Sequence, residues 1–220
     1  MMKLILPEGS FGAYLFDCDG TIADSMPLHY DAWLAALGEW NCTFDEELFY
    51  SWGGKPTREI ISELNGMQGL NMPVESVANR KEDIYYSLLP HLKAVPEVLE
   101  IIQAEAGRIP FAVVSGSNRD SVTASLKAVG LLDRFDTIVC AGDYQKSKPD
   151  PEPFLLAAAR LEVPPEQCLV FEDTDMGTDA ARAAGMAYVR VLSPVEKRRL
   201  CAAEASPSVT IAENAKNAVK

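Results

Sequence analysis

The sequence predicts an α/β fold in which a parallel sheet carries helices on both faces and a small all-helical domain follows the first strand. Three observations predict it. Short apolar runs each end in a polar turn, helix-like stretches lie between these runs, and one long segment interrupts the alternation. Strands that alternate with helices are typical of a parallel sheet covered on both faces. Because ligands of such sheets bind beyond the carboxyl ends of the strands, we expect the functional site at that edge.

Five apolar runs have the length and composition of buried strands. They are residues 14–16, 111–114, 137–140, 169–171 and 187–191. Four of them run directly into acidic or hydroxyl residues, in Asp17-Cys18-Asp19-Gly20-Thr21, Ser115-Gly116-Ser117-Asn118, Ala141-Gly142-Asp143 and Glu172-Asp173-Thr174-Asp175. Unrelated surface charges have no reason to select strand ends, so these turns are predicted to contribute to one site.

The stretches between the strands have helical patterns, and residues 25–90 break the alternation because they are helix-like throughout. The predicted helices outside that segment are 96–106, 120–129, 153–161 and 175–184, the last followed by Gly185. We therefore predict a core of residues 1–24 and 91–220 and a helical insertion of residues 25–90. The polar tail after Pro194 predicts only a short strand at 209–211 and a frayed end.

The composition excludes several classes of protein. Of 220 residues, 48% are hydrophobic and 24% charged, which is typical of a globular chain. A formal net charge of −12 disfavours nucleic acid and anionic membranes as partners. The apolar runs are too short to cross a bilayer and the N-terminus lacks the pattern of a cleavable signal, so we expect a cytoplasmic protein, with a monomer favoured.

Cysteine and histidine give no sign of a zinc site or of disulfides. The five cysteines are scattered singly, without a C-x-x-C pair, and the chain has only two histidines, His29 and His91. Small buried thiols in a reducing compartment are the interpretation that this pattern favours.

Carboxylates are better candidates for metal ligands. Asp17 and Asp19 flank one residue where a strand passes into a turn, so the bend of the chain allows both to face one point. Such a pair predicts either two groups that share a proton or a hard cation between them. Asp173, at the end of another strand, offers a third oxygen ligand, and Mg²⁺ prefers a few carboxylates with several waters. A magnesium site is therefore favoured over the dyad.

Four segments, in this order along the chain, resemble the four motifs of the haloacid dehalogenase superfamily. They are Asp17-Cys18-Asp19-Gly20-Thr21, Ser115 after Val113-Val114, Lys148 in Lys148-Pro149-Asp150-Pro151-Glu152, and Glu172-Asp173-Thr174-Asp175-Met176-Gly177. One motif alone would be weak evidence, whereas four in order at strand ends are highly specific. The resemblance implies a Rossmann-like catalytic core, and the insertion resembles the helical cap of the β-phosphoglucomutase-like and sugar-phosphatase-like group.

The resemblance also implies roles for the residues in these motifs. Asp17 would attack phosphorus and form an aspartyl-phosphate. Asp19 would act as general acid and then general base, which requires a pKa near neutrality. Mg²⁺ would bridge Asp17, the carbonyl of Asp19 and Asp173. Ser115 and Lys148 would hold the phosphoryl oxygens, and Glu172 would orient Lys148 or a metal-bound water.

Further residues are candidates for contact with the substrate. His29 and Trp33 match the first cap helix of the group, and 54–60 matches its substrate loop. By this resemblance His29 would contact Asp19 when the cap closes, and the alternative is that it only satisfies a buried polar contact. Trp33 is expected to pack in the cap. The candidate substrate-binding residues are His29, Gly54, Lys55, Arg58, Gly116, Ser117 and Asn118.

The first functional hypothesis is a Mg²⁺-dependent phosphatase of a small phosphorylated metabolite, a sugar phosphate above all. A hexose-phosphate mutase is the alternative within the same chemistry and needs a second phosphate pocket, for which Arg58, Ser117, Asn118 and Arg119 are candidates. The spacing from Gly54 to Arg58 and the Asn118-Arg119 order both depart from the mutase pattern. A phosphate-ester binding protein without turnover is the third hypothesis. Aspartates also cap turns and helices, and for Asp175 and Asp179 that structural role is preferred.

Overall fold

The computed structural model describes residues 3–53 and 55–205. Gly54, a candidate substrate-binding residue, and the strand predicted at 209–211 lie outside the described residues. No helix within the described part of the chain is long and apolar enough to cross a membrane.

A five-stranded parallel sheet forms the centre of the molecule, as the sequence predicts. Its strands are β1 Ala13–Phe16, β2 Phe111–Val114, β3 Thr137–Val139, β4 Cys168–Glu172 and β5 Ala187–Arg190, in the spatial order β3-β2-β1-β4-β5. Phe16 lies opposite Phe171, and the amide of Asp17 donates to the carbonyl of Phe171 at 2.9 Å. The ends of β1 and β4, which carry the predicted carboxylates, are therefore side by side.

Helices cover both faces of this sheet, so the predicted Rossmann-like architecture is confirmed. The helices of the core are α5 Pro96–Glu105, α6 Arg119–Ala128, α7 Glu152–Arg160, α8 Asp175–Ala183 and α9 Pro194–Ala205, numbered after the four helices of the insertion. Alternate residues of a strand point to opposite faces. Tyr14 and Phe16 accordingly pack in the hydrophobic cluster that includes α5 and α6, whereas Ala13 and Leu15 pack in the cluster that includes α7 and α8.

The insertion after β1 is all-helical and has a hydrophobic core of its own. Its helices are α1 Met26–Gly38, α2 Glu46–Ser51, α3 Thr57–Gln68 and α4 Val74–Leu88. Trp33 is buried there, edge-on to Phe44, beside Ile61 and Leu64. The packing role expected for Trp33 agrees with this position.

The two chain crossings between core and insertion lie next to each other. Ala23 and Ala94 form an antiparallel bridge, and the amide of Asp24 donates to the carbonyl of Lys93 at 2.8 Å. Both crossings are within a few residues of the boundaries predicted at 24–25 and 90–91.

Helix α9 occupies residues that the sequence suggested to be a polar tail. Ser193 and Glu196 cap it reciprocally, since each side chain accepts a hydrogen bond from the backbone amide of the other, at 3.2 and 2.7 Å. Lys197 forms an ion pair with Glu97 of α5 in the core. Arg198 and Arg199 pair at 2.7 Å with two glutamates in the first turn of α2. This helix therefore contacts both the core and the insertion.

Candidate active site

The predicted site residues meet at the carboxyl edge of the sheet. Asp17 follows β1, Ser115 follows β2, Glu172 is the last residue of β4, and Asp173 comes next. Lys148 enters the same place from the loop between β3 and α7. All five are largely buried, with the side chain of Lys148 9% exposed. Parallel strands place their ends at one edge, which is why residues so distant in sequence come together here.

Lys148 is held by three acceptors. Its ammonium donates to Asp17 Oδ1 at 2.7 Å, to Glu172 Oε1 at 2.7 Å and to the carbonyl of Val114 at 2.9 Å. A lysine has three hydrogens to donate, so its capacity is used in full. The other oxygen of Glu172, Oε2, accepts from the amide and the hydroxyl of Thr174 at 2.7 and 2.9 Å. Glu172 thus fixes Lys148 against the start of α8.

Two glycines make room for the carboxylates. A Cβ on Gly177, in the first turn of α8, would lie 1.8 Å from Glu172 Oε1. A Cβ on Gly20, where φ is +86°, would lie 2.2 Å from Asp173 Oδ2. Both glycines occur in the motifs that the sequence identifies, but the sequence alone gave no role to either. Only the fold shows that each carboxylate lies directly against a glycine.

The cluster carries more negative than positive charge in a place that water hardly reaches. Burial raises the pKa of Asp17 to about 7; the charge of Lys148 opposes this rise, and the charges of Glu172 and Asp19 add to it. Burial also raises the pKa of Asp173 well above its ordinary value, with contributions from Glu172 and Asp17. The pKa of Lys148 is raised because the attraction of Asp17 and Glu172 outweighs the effect of its burial. A cation beside Asp17 and Asp173 would relieve this excess of charge.

The residues predicted to hold Mg²⁺ are few, as is usual for this ion. Within the described ranges, no three His, Cys, Asp or Glu side chains are grouped so that they could hold a metal ion. The predicted site needs only two carboxylates, Asp17 and Asp173, and the carbonyl of Asp19, which agrees with the few protein ligands that Mg²⁺ takes. Asp173 accepts one side-chain hydrogen bond, from Thr21 at 3.3 Å, so its carboxylate keeps capacity for a cation.

Asp19 lies in a different environment from Asp17. Ser25 donates to its Oδ1 and Ser117 to its Oδ2, both at 2.8 Å, and His29 Nε2 is 3.7 Å from Oδ1. Burial alone would raise the pKa of Asp19, but His29, Ser25 and Ser117 outweigh it and hold the pKa below its ordinary value. The expected pKa near neutrality is therefore not found in this arrangement, because three donors surround the carboxylate.

Two other residues of the insertion, Lys81 and Tyr85, contact His29. Lys81 Nζ lies 3.0 Å from His29 Nδ1, and the ring of Tyr85 stacks on the imidazole at 3.8 Å between centroids and 14° between planes. Burial lowers the pKa of His29, as does the charge of Lys81, whereas Asp19 raises it. Since a lysine ammonium only donates, Nδ1 is the acceptor and the proton of a neutral imidazole is on Nε2, the nitrogen that faces Asp19.

Lys81 is a residue that sequence reasoning missed. It stands in the run Asn79-Arg80-Lys81-Glu82-Asp83, which is typical of a solvated helix face, yet it is only 4% exposed. The sequence nevertheless contains a periodic pattern that indicates burial of Lys81. Val77, Lys81 and Tyr85 recur every four residues and share the buried face of α4.

The loop after β2 is partly engaged in local hydrogen bonds. Ser115 Oγ accepts from the amide of Ser117 at 3.0 Å, and Asn118 Oδ1 accepts from the amide of Ser121 at 2.9 Å, which caps α6. Ser117 faces Asp19, as described above. A Cβ on Gly116 would meet nothing within 4 Å, so its backbone is open. This loop brings Ser115 and Ser117 to the site, while the side-chain oxygen of Asn118 serves the helix.

Two basic candidates of the insertion are paired away from the carboxylate cluster. Arg58 is 63% exposed and makes a two-bond ion pair with Glu75 at 2.7 and 2.8 Å. Lys55 lies 4.2 Å above the ring of Trp52 and bonds both oxygens of Glu63 at 2.7 and 2.8 Å. In this arrangement neither charge is brought to Asp17, and Arg119, a mutase candidate, likewise pairs with Asp143 at 2.6 Å.

The insertion nevertheless lies over the site. A Cβ on Gly53, in the turn after α2, would be 3.7 Å from the side chain of Thr174, which follows Asp173. Together with the approach of His29 to Asp19, this contact closes the insertion over the carboxyl edge of the sheet. Asp19, which can give or take a proton, therefore lies with Asp17 at the edge of the sheet that the insertion covers.

Comparisons with known proteins agree with this geometry. A family model described as haloacid dehalogenase-like hydrolase matches residues 14–191. A fructose-1-phosphate phosphatase of Escherichia coli is 36% identical over 182 residues, which cover 82% of this chain and 96% of that protein. A β-phosphoglucomutase of Bacillus subtilis is 30% identical over 190 residues, covering 81% and 82%. Among solved structures, CbbY from Rhodobacter sphaeroides in complex with phosphate superposes with a TM-score of 0.71 at 27% identity, covering 81% of this chain and 84% of that chain.

Proposed function

The chain belongs to the haloacid dehalogenase-like hydrolases, and we propose that it is a Mg²⁺-dependent phosphatase that hydrolyses the phosphomonoester of a small sugar phosphate. One observation carries this proposal. Asp17 and Asp19 share one site, but Lys148 donates to the first, whereas Ser25 and Ser117 donate to the second and His29 Nε2 lies 3.7 Å from it. Two carboxylates in such different environments suit two different roles in one reaction.

In the first step, an oxygen of Asp17 attacks phosphorus in line with the bond to the sugar. That bond breaks, its electron pair stays on the sugar oxygen, and Asp19 gives a proton to this oxygen. Asp19 must therefore start protonated. The negative charge of a bound phosphoryl group beside Asp19 favours that form.

In the second step, water attacks the phosphorus of the aspartyl-phosphate. Asp19 takes a proton from the water, the bond between phosphorus and Asp17 breaks, and its electron pair restores the carboxylate. The three donors around Asp19 stabilise its ionised form, which is the form that this step requires. One carboxylate thus serves as acid and then as base.

Other residues of the cluster bind and orient. Lys148 would exchange one of its three present acceptors for a non-reacting phosphoryl oxygen, Ser115 would hold another, and Glu172 would keep Lys148 in place. Mg²⁺, held by Asp17, Asp173 and the carbonyl of Asp19, would neutralise carboxylate and phosphoryl oxygens together. Residues 25–90 would act as a cap on a core of residues 1–24 and 91–220, excluding bulk water when closed.

The relatives support a sugar phosphate as substrate. The Escherichia coli relative is named a fructose-1-phosphate phosphatase, and a solved structure of CbbY contains xylulose-1,5-bisphosphate. The side chains that would select the sugar lie on the cap. Lys55 and Arg58 remain candidates for that role, and each would have to exchange its present glutamate partner for the substrate.

Hydrolysis is preferred to phosphoglucomutase chemistry. A mutase needs a second phosphate pocket. Three of the residues that could form this pocket already have other partners in the structure. Arg58 is paired with Glu75, Asn118 caps α6, and Arg119 is paired with Asp143. A binding protein without turnover is disfavoured, because Asp17 and Asp19 are both present and in place.

The decisive experiment measures phosphate release from sugar phosphates, nucleotides and phosphoglycolate with and without Mg²⁺. β-Glucose 1-phosphate with its bisphosphate activator is included to detect isomerisation. We expect Mg²⁺-dependent release from a sugar phosphate. Asp179→Asn is the matched control for changes in the cluster, since Asp179 is an exposed carboxylate paired with Arg182. Isomerisation with little release would indicate a mutase, and inertness of the wild type towards every ester would contradict the proposal.

A further inference from the structure

A hydrogen bond between two buried hydroxyls joins the cap to the core. The hydroxyl of Tyr85, in α4 of the cap, lies 3.1 Å from Ser125 Oγ in α6 of the core. Tyr85 is fully buried and Ser125 is 1% exposed. Leaving a buried hydroxyl without a hydrogen-bond partner costs free energy. This bond therefore favours the position of α4 on α6 that keeps it over positions that would break it.

The same tyrosine supports His29. Its ring is stacked on the imidazole with 3.8 Å between the ring centroids, and Lys81 Nζ lies 3.0 Å from Nδ1 of the same imidazole. Lys81 and Tyr85 both belong to α4, so they fix His29 with respect to the cap. The bond from Tyr85 to Ser125 is what fixes this group with respect to the core.

Helix α6 also carries a direct contact to Asp19. Ser117, two residues before α6 begins, donates to Asp19 Oδ2 at 2.8 Å, and Asn118 caps the helix. Two routes therefore lead from α6 to Asp19. One passes through Ser117 to Oδ2, and the other passes through Ser125, Tyr85 and His29 to Oδ1.

We propose that Tyr85 is a positioning residue for the reaction, because its bond to Ser125 sets the position of the cap that places His29 Nε2 beside Asp19. For its effect on catalysis this inference rests on the proposed function. If Tyr85 only filled space in the core, its hydroxyl would contribute to stability alone. The two possibilities differ in what they predict for substrates with good and poor leaving groups.

The experiment compares Tyr85→Phe, Ser125→Ala and the double variant with the wild type. Tyr85→Phe keeps the ring that stacks on His29 and removes only the hydroxyl. Tyr30→Phe is the matched control, because the Tyr30 hydroxyl donates to the carbonyl of Phe44 at 3.0 Å entirely within the cap. The readout is kcat/KM, which covers the steps up to leaving-group departure, for the preferred sugar phosphate and for p-nitrophenyl phosphate.

We expect each single variant to lower kcat/KM for the sugar phosphate about tenfold, since a small misplacement of a proton donor is costly. For p-nitrophenyl phosphate, whose leaving group needs little protonation, we expect less than about a twofold change. The double variant should be no worse than either single variant, because both remove one bond. Equal losses on the two substrates, or the same losses in Tyr30→Phe, would overturn the proposal.

A second measurement does not depend on turnover. Since the chain has only two histidines, the imidazole NMR signals of His29 can be assigned by comparison with His91→Gln. Tyr85→Phe and Ser125→Ala should each shift the His29 ring signals, and Tyr30→Phe should not. Unchanged His29 signals in both variants would refute the positioning role even if the wild type hydrolysed no ester, so failure of this inference and failure of the proposed function are distinguishable.

Discussion

Lys81 Nζ lies 3.0 Å from Nδ1 of His29, and within the cap the lysine is 4% exposed and the histidine side chain 16% exposed. A lysine at this position can only donate, so it selects the tautomer in which Nε2 carries the proton and faces Asp19. Any other partner for Nδ1 that accepts a hydrogen bond would select the opposite tautomer. The orientation of one proton at the site is thus decided by a lysine in helix α4 of the cap.

Lys81→Met is expected to lower kcat/KM for the preferred sugar phosphate about tenfold, because His29 loses the donor that fixes its tautomer. Methionine has a similar length and is apolar, so the buried site accepts it, and Glu82, which pairs with Lys81 at 2.9 Å, is 36% exposed and can turn to water. Steady-state kinetics and a melting curve measure the two effects separately. Lys146→Met, at a lysine that is 74% exposed, serves as control. Unchanged kinetics in Lys81→Met would remove this lysine from the mechanism.

Asp19→Asn should act differently on substrates with poor and good leaving groups. Asparagine keeps the shape but supplies no acid proton, so the first-turnover rate with a sugar phosphate is expected to fall about 100-fold or more. Release of p-nitrophenol in the first turnover should fall much less, and an initial burst should follow because the second step lacks its base. Asp17→Asn should abolish turnover of both substrates. A rapid-quench experiment measures these rates, and equal first-turnover losses on the two esters would exclude the acid role of Asp19.

The stability of the metal-free protein should fall with rising pH because of Asp17. Its pKa is 3.8 ordinarily and about 7 in the folded state, so the folded protein binds the proton more tightly than the unfolded chain. The resulting stability is present in full below the unfolded pKa and is lost as pH rises through the folded pKa. Between about pH 5 and pH 8 the loss is expected to be about 2–3 kcal/mol.

Urea unfolding in EDTA measures this effect. Asp17→Asn, which cannot ionise, should lose less stability over the same range than the wild type, and Asp179→Asn should follow the wild type. Added Mg²⁺ should restore more stability at pH 8 than at pH 5, since it binds the ionised carboxylates. Parallel pH profiles of wild type and Asp17→Asn would show that the carboxyl of Asp17 is not the cause.

The sequence predicted the sheet and the carboxylate cluster because both depend on local pattern. Apolar runs such as Phe111–Val114 are buried on both faces, and the polar turn after each run is fixed by the end of the strand. Asp17 and Asp173 could be placed together from these runs alone, since parallel strands bring their ends to one edge. The helical insertion was equally visible, because its pattern lacks strands.

What the sequence did not predict depends on partners that are distant along the chain. Helix α9 is polar, and it is stabilised by pairs such as Arg198 with Glu46, 152 residues apart. Lys81 looks solvated until α1 packs on α4 and covers it. The pKa of Asp19 is lowered by His29, Ser25 and Ser117 together, and Ser117 is 98 residues away in sequence. The four-residue spacing of Val77, Lys81 and Tyr85 marks the buried face of α4, but no local pattern identifies the distant partners in these contacts.

Gly177→Ala should lower the activity of the enzyme because it displaces the carboxylate of Glu172. A Cβ at this position would lie 1.8 Å from Oε1 and 1.9 Å from Cδ of Glu172, so the carboxylate must leave its place between Lys148 and Thr174. We expect kcat/KM to fall about 100-fold, because Lys148 loses the partner that aims it at the phosphoryl oxygens. Breaking a buried ion pair should also lower the free energy of unfolding by about 3 kcal/mol.

Gly66→Ala is the matched control for Gly177→Ala, since it adds the same methyl group within helix α3, where a Cβ meets nothing within 4 Å. It should raise the free energy of unfolding by about 0.5–1 kcal/mol and leave kinetics unchanged. Kinetics and urea unfolding of both variants separate the two positions. If Gly177→Ala kept wild-type kinetics, Glu172 could vacate its site without consequence, and its proposed role in holding Lys148 would be wrong. Lost activity with unchanged stability would instead mean that Glu172 serves catalysis without contributing to the fold.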